Sequence, residues 1–266
     1  MSMSIGILPS PRNAVFTTAL WDGKFKIADW PLHSERMAKH AENLRIPFPP
    51  NMNLLLENQI RKMVDIETVE GEITLGKLLR IELSQNGTLT LESRDVELRD
   101  EELDATTVAA PKWSKRINGT KHGCWSPYIK ARESAHELGC DIAFLVHDFA
   151  VIDTDRAMPL VMDEDGIVWV AAKDQGGVES ITFNHISQGL QKSGILVQSG
   201  RLNERLVARA VEIVVIGSGL GACRILSLDS EEFSDSQTLT NHCQSILKEH
   251  YQKETTWFDV RHGDES

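Results

Sequence analysis

Asn118–Val146 reads NGTKHGCWSPYIKARESAHELGCDIAFLV, and its punctuation organises the middle of the chain. Pro127 suits the first turn of a helix, and a helix from about Pro127 to Leu138 closes on Gly139, which tolerates the left-handed backbone of a helix end. Asp141–His147 then reads as a short buried strand. Lys121 stands just ahead of that helix, behind Pro111–Gly119, a polar stretch of little periodicity that reads as an interdomain linker.

Upstream, Asn13–Ile27 reads as extended chain turned at Asp22-Gly23. Pro31 opens a helix with Leu32, Met37, Ala41 and Leu44 near one face, and Pro47, Pro49 and Pro50 stop it. A second amphipathic helix runs from about Leu54 to Ile66, and Glu72–Leu83 and Thr88–Glu92 read as strands about Asn86-Gly87. Asp95–Asp104 is dense in charge. The chain therefore divides into an N-terminal α+β domain over 1–110, a linker over 111–120 and a C-terminal domain over 121–266.

Downstream, Leu160–Met162 and Ile167–Ala171 predict a hairpin about Asp165-Gly166. A helix from about Glu179 to Lys192, strand Ile195–Gln198, helix Asn203–Ala210 and strands Glu212–Ile216 and Arg224–Leu228 follow. Helix Gln237–Tyr251 closes the ordered part, with the last dozen residues read as a loose tail.

With 266 residues and 41% hydrophobic content the chain can bury a substantial core. A formal charge of -11 argues against DNA, RNA and anionic membranes, which reward Lys/Arg patches. No apolar run has the length of a membrane span, and no charged-then-apolar signal opens the chain. Cys124, Cys140, Cys223 and Cys243 show no CxxC spacing and read as reduced thiols of a cytosolic protein.

Val211–Ala222, VEIVVIGSGLGA, imitates a dinucleotide-binding fingerprint. That fingerprint needs a helix after the glycine turn to receive the pyrophosphate. Here CRILSLD follows and alternates like a strand, so a nicotinamide or flavin site is rejected. The turn's backbone N–H groups can still hold one phosphate.

Four segments in chain order resemble the fold-type IV pyridoxal-phosphate (PLP) enzymes, the class IV aminotransferase family. VFTTALWDGKFK at Val15–Lys26, with His33-Ser34-Glu35-Arg36, is similar to the family's strand, N/D-G-K turn and H-x-x-R helix start. By that resemblance Arg36 binds the cofactor phosphate, a task suited to the planar guanidinium fork. The Lys121 segment resembles the family's cofactor-lysine stretch before a helix rich in A-R-E-A. An isolated lysine is ordinarily an exposed one, and it is the surrounding text that singles out Lys121. Val151-Ile152-Asp153 resembles the family's V-x-E, whose carboxylate keeps the pyridine nitrogen protonated. Gly177–Thr182 and Gly217-Ser218-Gly219 resemble the family's two phosphate-clasping segments. Ile181, Thr182 and Ser218 are then phosphate contacts, and Gly219 lies where a substrate carboxylate docks.

The resemblance spans about Asn13 to Asp229 and implies an α+β, two-domain fold of the D-amino-acid aminotransferase type. It has a smaller N-terminal α/β sandwich and a larger C-terminal domain with a barrel-like sheet. It also implies PLP as cofactor, a small-molecule amino substrate and a homodimer. Met158, Phe183 and Cys124-Trp125 replace residues usual in the family, and Tyr128 is a possible substitute donor to the ring hydroxyl. FTTALWDGK and Lys121-His122 look most like aminodeoxychorismate lyase, which forms p-aminobenzoate and pyruvate. An amino-acid transaminase of branched-chain or D-amino-acid type is the alternative. A catalytically idle PLP-binding or interaction protein is a third reading, prompted by Asp153, Met158 and Phe183.

Overall fold

The period-2 pattern of Ala14–Trp21 decides how the N-terminal half is built. In the computed structural model, which describes residues 9–64, 76–96, 98 and 101–262, this segment is strand β1 and is buried along almost its whole length. Val15, Ala19 and Trp21 turn toward the helices, while Leu20 packs the opposite way. Such two-sided burial is what a central strand requires.

β1 sits in a five-stranded sheet of order β15-β2-β1-β3-β4, built with β2 (Lys26–Ala28), β3 (Lys77–Ser84), β4 (Leu89–Asp95) and β15 (Trp257–Asp259). Helices α1 (Trp30–Leu44) and α2 (Met52–Met63) cover one face, burying Met37, Leu44, Leu56 and Ile60 against Leu79, Ile81 and Leu83. Pro31 lies in the first turn of α1, and Arg45 ends it in the left-handed region at φ 60°. The part of the expected strand Glu72–Leu83 that precedes residue 76 lies outside the described residues, as does the end of the second helix beyond residue 64.

The second sheet has ten strands, in the order β10-β9-β8-β12-β13-β5-β6-β7-β11 with β14 beside β13. They are β5 (Leu103–Ala109), β6 (Ile142–His147), β7 (Ala150–Thr154), β8 (Met158–Met162), β9 (Val168–Ala171), β10 (Val197–Gly200), β11 (Leu202–Asn203), β12 (Glu212–Gly217), β13 (Gly221–Leu228) and β14 (Glu231–Glu232). The sheet curls until β7 and β11 approach β8 and β9, which makes it barrel-like. Phe144, Val161, Ile213, Val215, Cys223 and Ile225 fill one apolar cluster, while Val214 and Ile216 pack with α4 (Ile181–Lys192) and α6 (Thr238–Tyr251). Helix α3 (Ser126–Glu137) packs on β5 and β6, and α5 (Glu204–Ala208) is a short connector. Among the described residues no helix is long and apolar enough to cross a membrane.

Two expectations are corrected. Leu103–Ala109, assigned with 1–110, is β5 and runs parallel to β6 and β13 inside the larger sheet. Its neighbours are strands from later in the chain, information that its own charged flank does not carry. The chain thus passes between sheets before β5, and again over 111–120. The supposed loose tail forms β15, which pairs antiparallel with β2 through Trp257↔Ala28, Phe258↔Ile27 and Asp259↔Lys26. Val151–Asp153 lies in β7. By contrast, Gly217–Gly221 joins two antiparallel strands, so no helix follows that glycine turn.

α6 is fastened by a buried carboxylate. Glu212 on β12 is fully buried. Its Oε2 accepts the Leu239 N–H at 2.9 Å, and Oε1 accepts the Thr240 N–H at 2.8 Å and hydroxyl at 2.6 Å. The free amides of a helix N-terminus are thereby met by negative charge. Glu212→Gln should lower unfolding free energy by about 2 kcal/mol, since charge-assisted bonds of this kind carry roughly that much each. Urea titration checks it, and an unchanged midpoint contradicts the role.

Candidate active site

Lys121 is held by its backbone. Its carbonyl accepts the Phe16 N–H at 3.1 Å and its own N–H donates to His40 Nδ1 at 3.2 Å. His122 bridges Val15, and the Gly123 N–H donates to the Ala14 carbonyl at 2.8 Å. The segment is therefore stitched along β1 of the smaller sheet while the following helix packs on the larger one. The side chain is half-buried, with Nζ 5.2 Å from the centre of the Phe16 ring and 5.0 Å from that of Trp125. Burial, with the Arg36 and Arg80 charges adding and Asp153 opposing, lowers its pKa to about 7. The amine is thus available as nucleophile or base near neutral pH.

Arg36 on α1 is buried, 7% exposed, yet among the described residues it forms no ion pair with a carboxylate. Its guanidinium donates to the Glu179 carbonyl at 2.7 Å and to Thr17 Oγ1 at 2.8 Å, leaving Nε without a partner. The Thr17 hydroxyl in turn meets His33 Nδ1 at 2.7 Å. Burial lowers the Arg36 pKa to about 10. A buried cation with an open donor is poised for an anion. The N-terminus of α4 opens on the same cleft, capped by Ser180, whose Oγ accepts the Phe183 N–H at 3.3 Å. Thr182 Oγ1 lies 3.3 Å from Ser218 Oγ, joining that helix start to the β12–β13 turn. A Cβ at Gly219 would stand 2.8 Å from Leu78 Cδ2, so glycine at position 219 lets this turn meet the smaller sheet without moving that side chain.

Asp153 in β7 accepts the Val178 N–H at 2.8 Å through Oδ2 and the Thr154 N–H at 2.9 Å through Oδ1. Burial raises its pKa to about 7, against the lowering effect of both amides and of Lys121. Such a carboxylate is stabilised when a cation or an N–H donor arrives beside it.

One cleft of about 500 Å³ is lined by Arg36, Lys121, Asp153, Ile181, Thr182, Ser218 and Gly219, the residues that the resemblance assigns to cofactor and catalysis. Its volume is in the range of small-molecule sites. Met158 and Trp125 also line it. Phe183 packs into the apolar cluster of α4 and α6 instead, and Tyr128 is absent from the lining, its hydroxyl accepting the Trp113 Nε1–H at 3.2 Å. Sequence reasoning missed Phe16, Arg80, Arg94, Arg132 and Arg156, which line the same cleft. The alternation of β1 and β3 was the available signal for two of them. Phe16 pairs with Glu82 and Thr18 with Arg80, so Phe16 and Arg80 share the face opposite the helices, and Arg80 stacks over the Phe16 ring at 3.6 Å.

The sequence model of amino-transferase class IV matches residues 14–228. No curated protein sequence matches the chain. Among solved structures, a candidate 4-amino-4-deoxychorismate lyase from Legionella pneumophila superposes with a TM-score of 0.75 at 19% identity, covering 94% of this chain and 96% of that one. A branched-chain aminotransferase from Thermoproteus uzoniensis, with norvaline, gives 0.77 at 15% identity, covering 94% and 90%. The PLP-bound form of a hypothetical aminotransferase from Mycobacterium tuberculosis gives 0.74 at 14% identity, covering 94% and 95%. At these identities the likeness is one of fold.

The depressed Lys121 pKa has a direct consequence, because only the free amine reacts with electrophiles. In cofactor-free protein, trinitrophenylation of the peptide carrying Lys121 should be half-maximal near pH 7, not near the ordinary lysine value of 10.5. A midpoint near the ordinary value would show that the amine is solvated.

Proposed function

The chain belongs to the class IV amino-transferase family, whose enzymes depend on PLP, and on that premise we propose that it is a lyase of the aminodeoxychorismate type, acting on an amino substrate with more than one carboxylate. The observation that carries the reading is the cationic wall of the cleft, where Arg80, Arg94, Arg132 and Arg156 stand beyond Lys121. Part of that charge is answered within the protein, since Arg80 pairs with Glu82 at 2.5 Å and Arg132 lies 3.6 Å from Asp155. Arg94 on β4 forms no ion pair among the described residues and is exposed at the rim.

The residues present suit the cofactor. Arg36, with its unpartnered Nε, and the α4 start at Ile181 and Thr182 with Ser218 would hold the phosphate. Asp153 would accept the N–H of the pyridinium, and Lys121 would hold the aldehyde carbon. Bound there, PLP supplies an electron sink for the pair released when the substrate Cα–H bond breaks. The chain's part in that chemistry is to hold and move protons. Lys121 Nζ takes the Cα proton and returns one, which its lowered pKa allows near neutrality. The Phe16 and Trp125 rings, packed edge to face beside Nζ, limit water on one side of it. A transaminase using dicarboxylic donors would also suit an arginine-lined cleft, and the two differ in what happens to the cofactor.

The PLP-loaded protein should be yellow, and borohydride should fix the cofactor on the Lys121 peptide. Mixed with aminodeoxychorismate and no keto acid, it should release pyruvate and p-aminobenzoate over many turnovers and keep its visible band. A band lost once per site, with a keto acid released from an amino-acid donor, would replace the lyase with a transaminase. An adduct elsewhere would overturn the assignment of Lys121. We further propose a two-fold homodimer, in keeping with a site built between two sheets and open to solvent on one side. Light scattering at micromolar concentration should give twice the chain mass, and a monomer refutes this.

A further inference from the structure

Away from the cleft, three helices bring a carboxylate and two imidazoles to one point. Asp29 precedes α1, His185 lies on α4 and His250 on α6. Both Asp29 oxygens are 3.0 Å from His250 Nε2, and Oδ1 is 3.2 Å from His185 Nε2. One potential donor atom from each residue falls within 4.8 Å of the others. The two rings are stacked, with centroids 3.7 Å apart and planes 24° apart, so both Nε2 atoms address the same carboxylate.

Several features go beyond an ordinary ion pair. Asp29 occupies the N-cap position of α1, where a carboxylate normally accepts a helix N–H, yet it makes no such bond. It adopts a left-handed backbone at φ 54°, held by its N–H on the Thr256 carbonyl at 2.9 Å and its carbonyl on the His33 N–H at 3.1 Å. A residue other than glycine in that region carries strain, which persists where the surroundings impose it. The result turns the carboxylate from its helix toward the histidines. His185 Nε2 is buried and, although close to Asp29, makes no hydrogen bond. One carboxylate flanked by two stacked imidazoles satisfies the His250 nitrogen and leaves the other open.

We propose that Asp29, His185 and His250 form a binding site for a divalent first-row transition ion, Zn2+ above all, coordinated by two imidazole nitrogens and one carboxylate. This donor set, with one position left to water, is one that zinc accepts. Donors 3.0–3.2 Å apart around Asp29 match the spacing of neighbouring ligands at metal–ligand distances of about 2.0–2.2 Å. The side chains are 9%, 18% and 15% exposed for Asp29, His185 and His250, so an ion can enter without the fold opening. Its place in the architecture suggests a brace: α1 carries Arg36, α4 starts at Ile181 and Thr182, and α6 closes the outer face of the larger sheet.

The test uses the full PLP-loaded chain stripped of metal by chelator. Calorimetric titration with Zn2+ should show one ion per chain with proton release, because both coordinating nitrogens must be free of protons. Co2+ in its place should give the visible d–d bands of a tetrahedral nitrogen–oxygen site. Zn2+ should raise the melting temperature. Asp29→Asn and His250→Asn should each weaken binding by at least about a hundredfold and abolish that rise, a loss at the upper end of effects seen for groups that merely support a metal's ligands. Asn tolerates the left-handed conformation that position 29 requires, so Asp29→Asn preserves the local backbone. No saturable Zn2+ binding would overturn the proposal. So would binding that survives both substitutions or shows the sulfur-to-metal bands of cysteine ligation. The readouts are independent of turnover, so they stand whatever the reaction at Lys121 proves to be.

Discussion

The structure turns on two cations kept from water with too little negative charge to answer them. Arg36 is buried and Lys121 half-buried, and in each case burial is the leading cause of a lowered pKa. The Arg36 charge adds to that lowering at Lys121, and Asp153 is the carboxylate that opposes it. Desolvating a charge without a partner is expensive, and a chain selected for stability alone would have paired or replaced these groups. Here neutral oxygens and peptide groups orient them instead. Thr17 Oγ1 and the Glu179 carbonyl hold the guanidinium, while His40 and the Phe16 amide hold the Lys121 backbone. Hydrogen bonds of this kind fix direction without neutralising charge, so the field in the cleft remains positive and ready for an anion.

That arrangement needs two sheets. β1 turns Thr17 toward α1, where it orients Arg36, and turns Phe16 toward the cleft, where it walls Lys121; adjacent residues serve opposite faces because strand side chains alternate. The larger sheet contributes Asp153 from β7 and the Ser218 turn from β12. Close approach of backbones completes the site. A Cβ at Gly177 would lie 2.3 Å from the Ile152 carbonyl oxygen, so a side chain there would push away the loop whose next amide, Val178, binds Asp153.

Much of this was legible because local chemistry and position agreed. The helix ending at Gly139, the hairpin about Asp165-Gly166 and the strand-not-helix after Gly217 each rest on residues whose backbone preferences act over a few positions. Lys121, Arg36 and Asp153 could be singled out because distinctive residues flank them. What stayed hidden depends on pairing across the chain. β5 is a strand only because β6 and β13 flank it, and β15 only because β2 offers an edge after more than two hundred intervening residues. The arginines of the cleft were equally silent. Arg80, Arg94, Arg132 and Arg156 read as solvated surface charge until the two sheets face each other. The cluster at Asp29, His185 and His250 has no sequence signature, since each residue comes from a different helix region.

The departures from the family's usual residues also take on physical sense. Asp153 is one methylene shorter than glutamate, but its carboxylate is fixed by two amides, one from its own strand and one from the loop pressed on by Gly177. A short side chain held at both oxygens loses less orientation than a longer one free to rotate, so its reach is set by the strand and not by its rotamers. Phe183 has left the cleft for the apolar cluster between α4 and α6, so its position contributes packing where an arginine would bring charge. Beside Arg36 and Lys121, positive charge reaches the cleft from β3, β4, α3 and the turn after β7. With Arg94 exposed at the rim, that charge reaches the mouth of the cleft as well as the Arg36 end, and a field of this sign draws anions in from solvent.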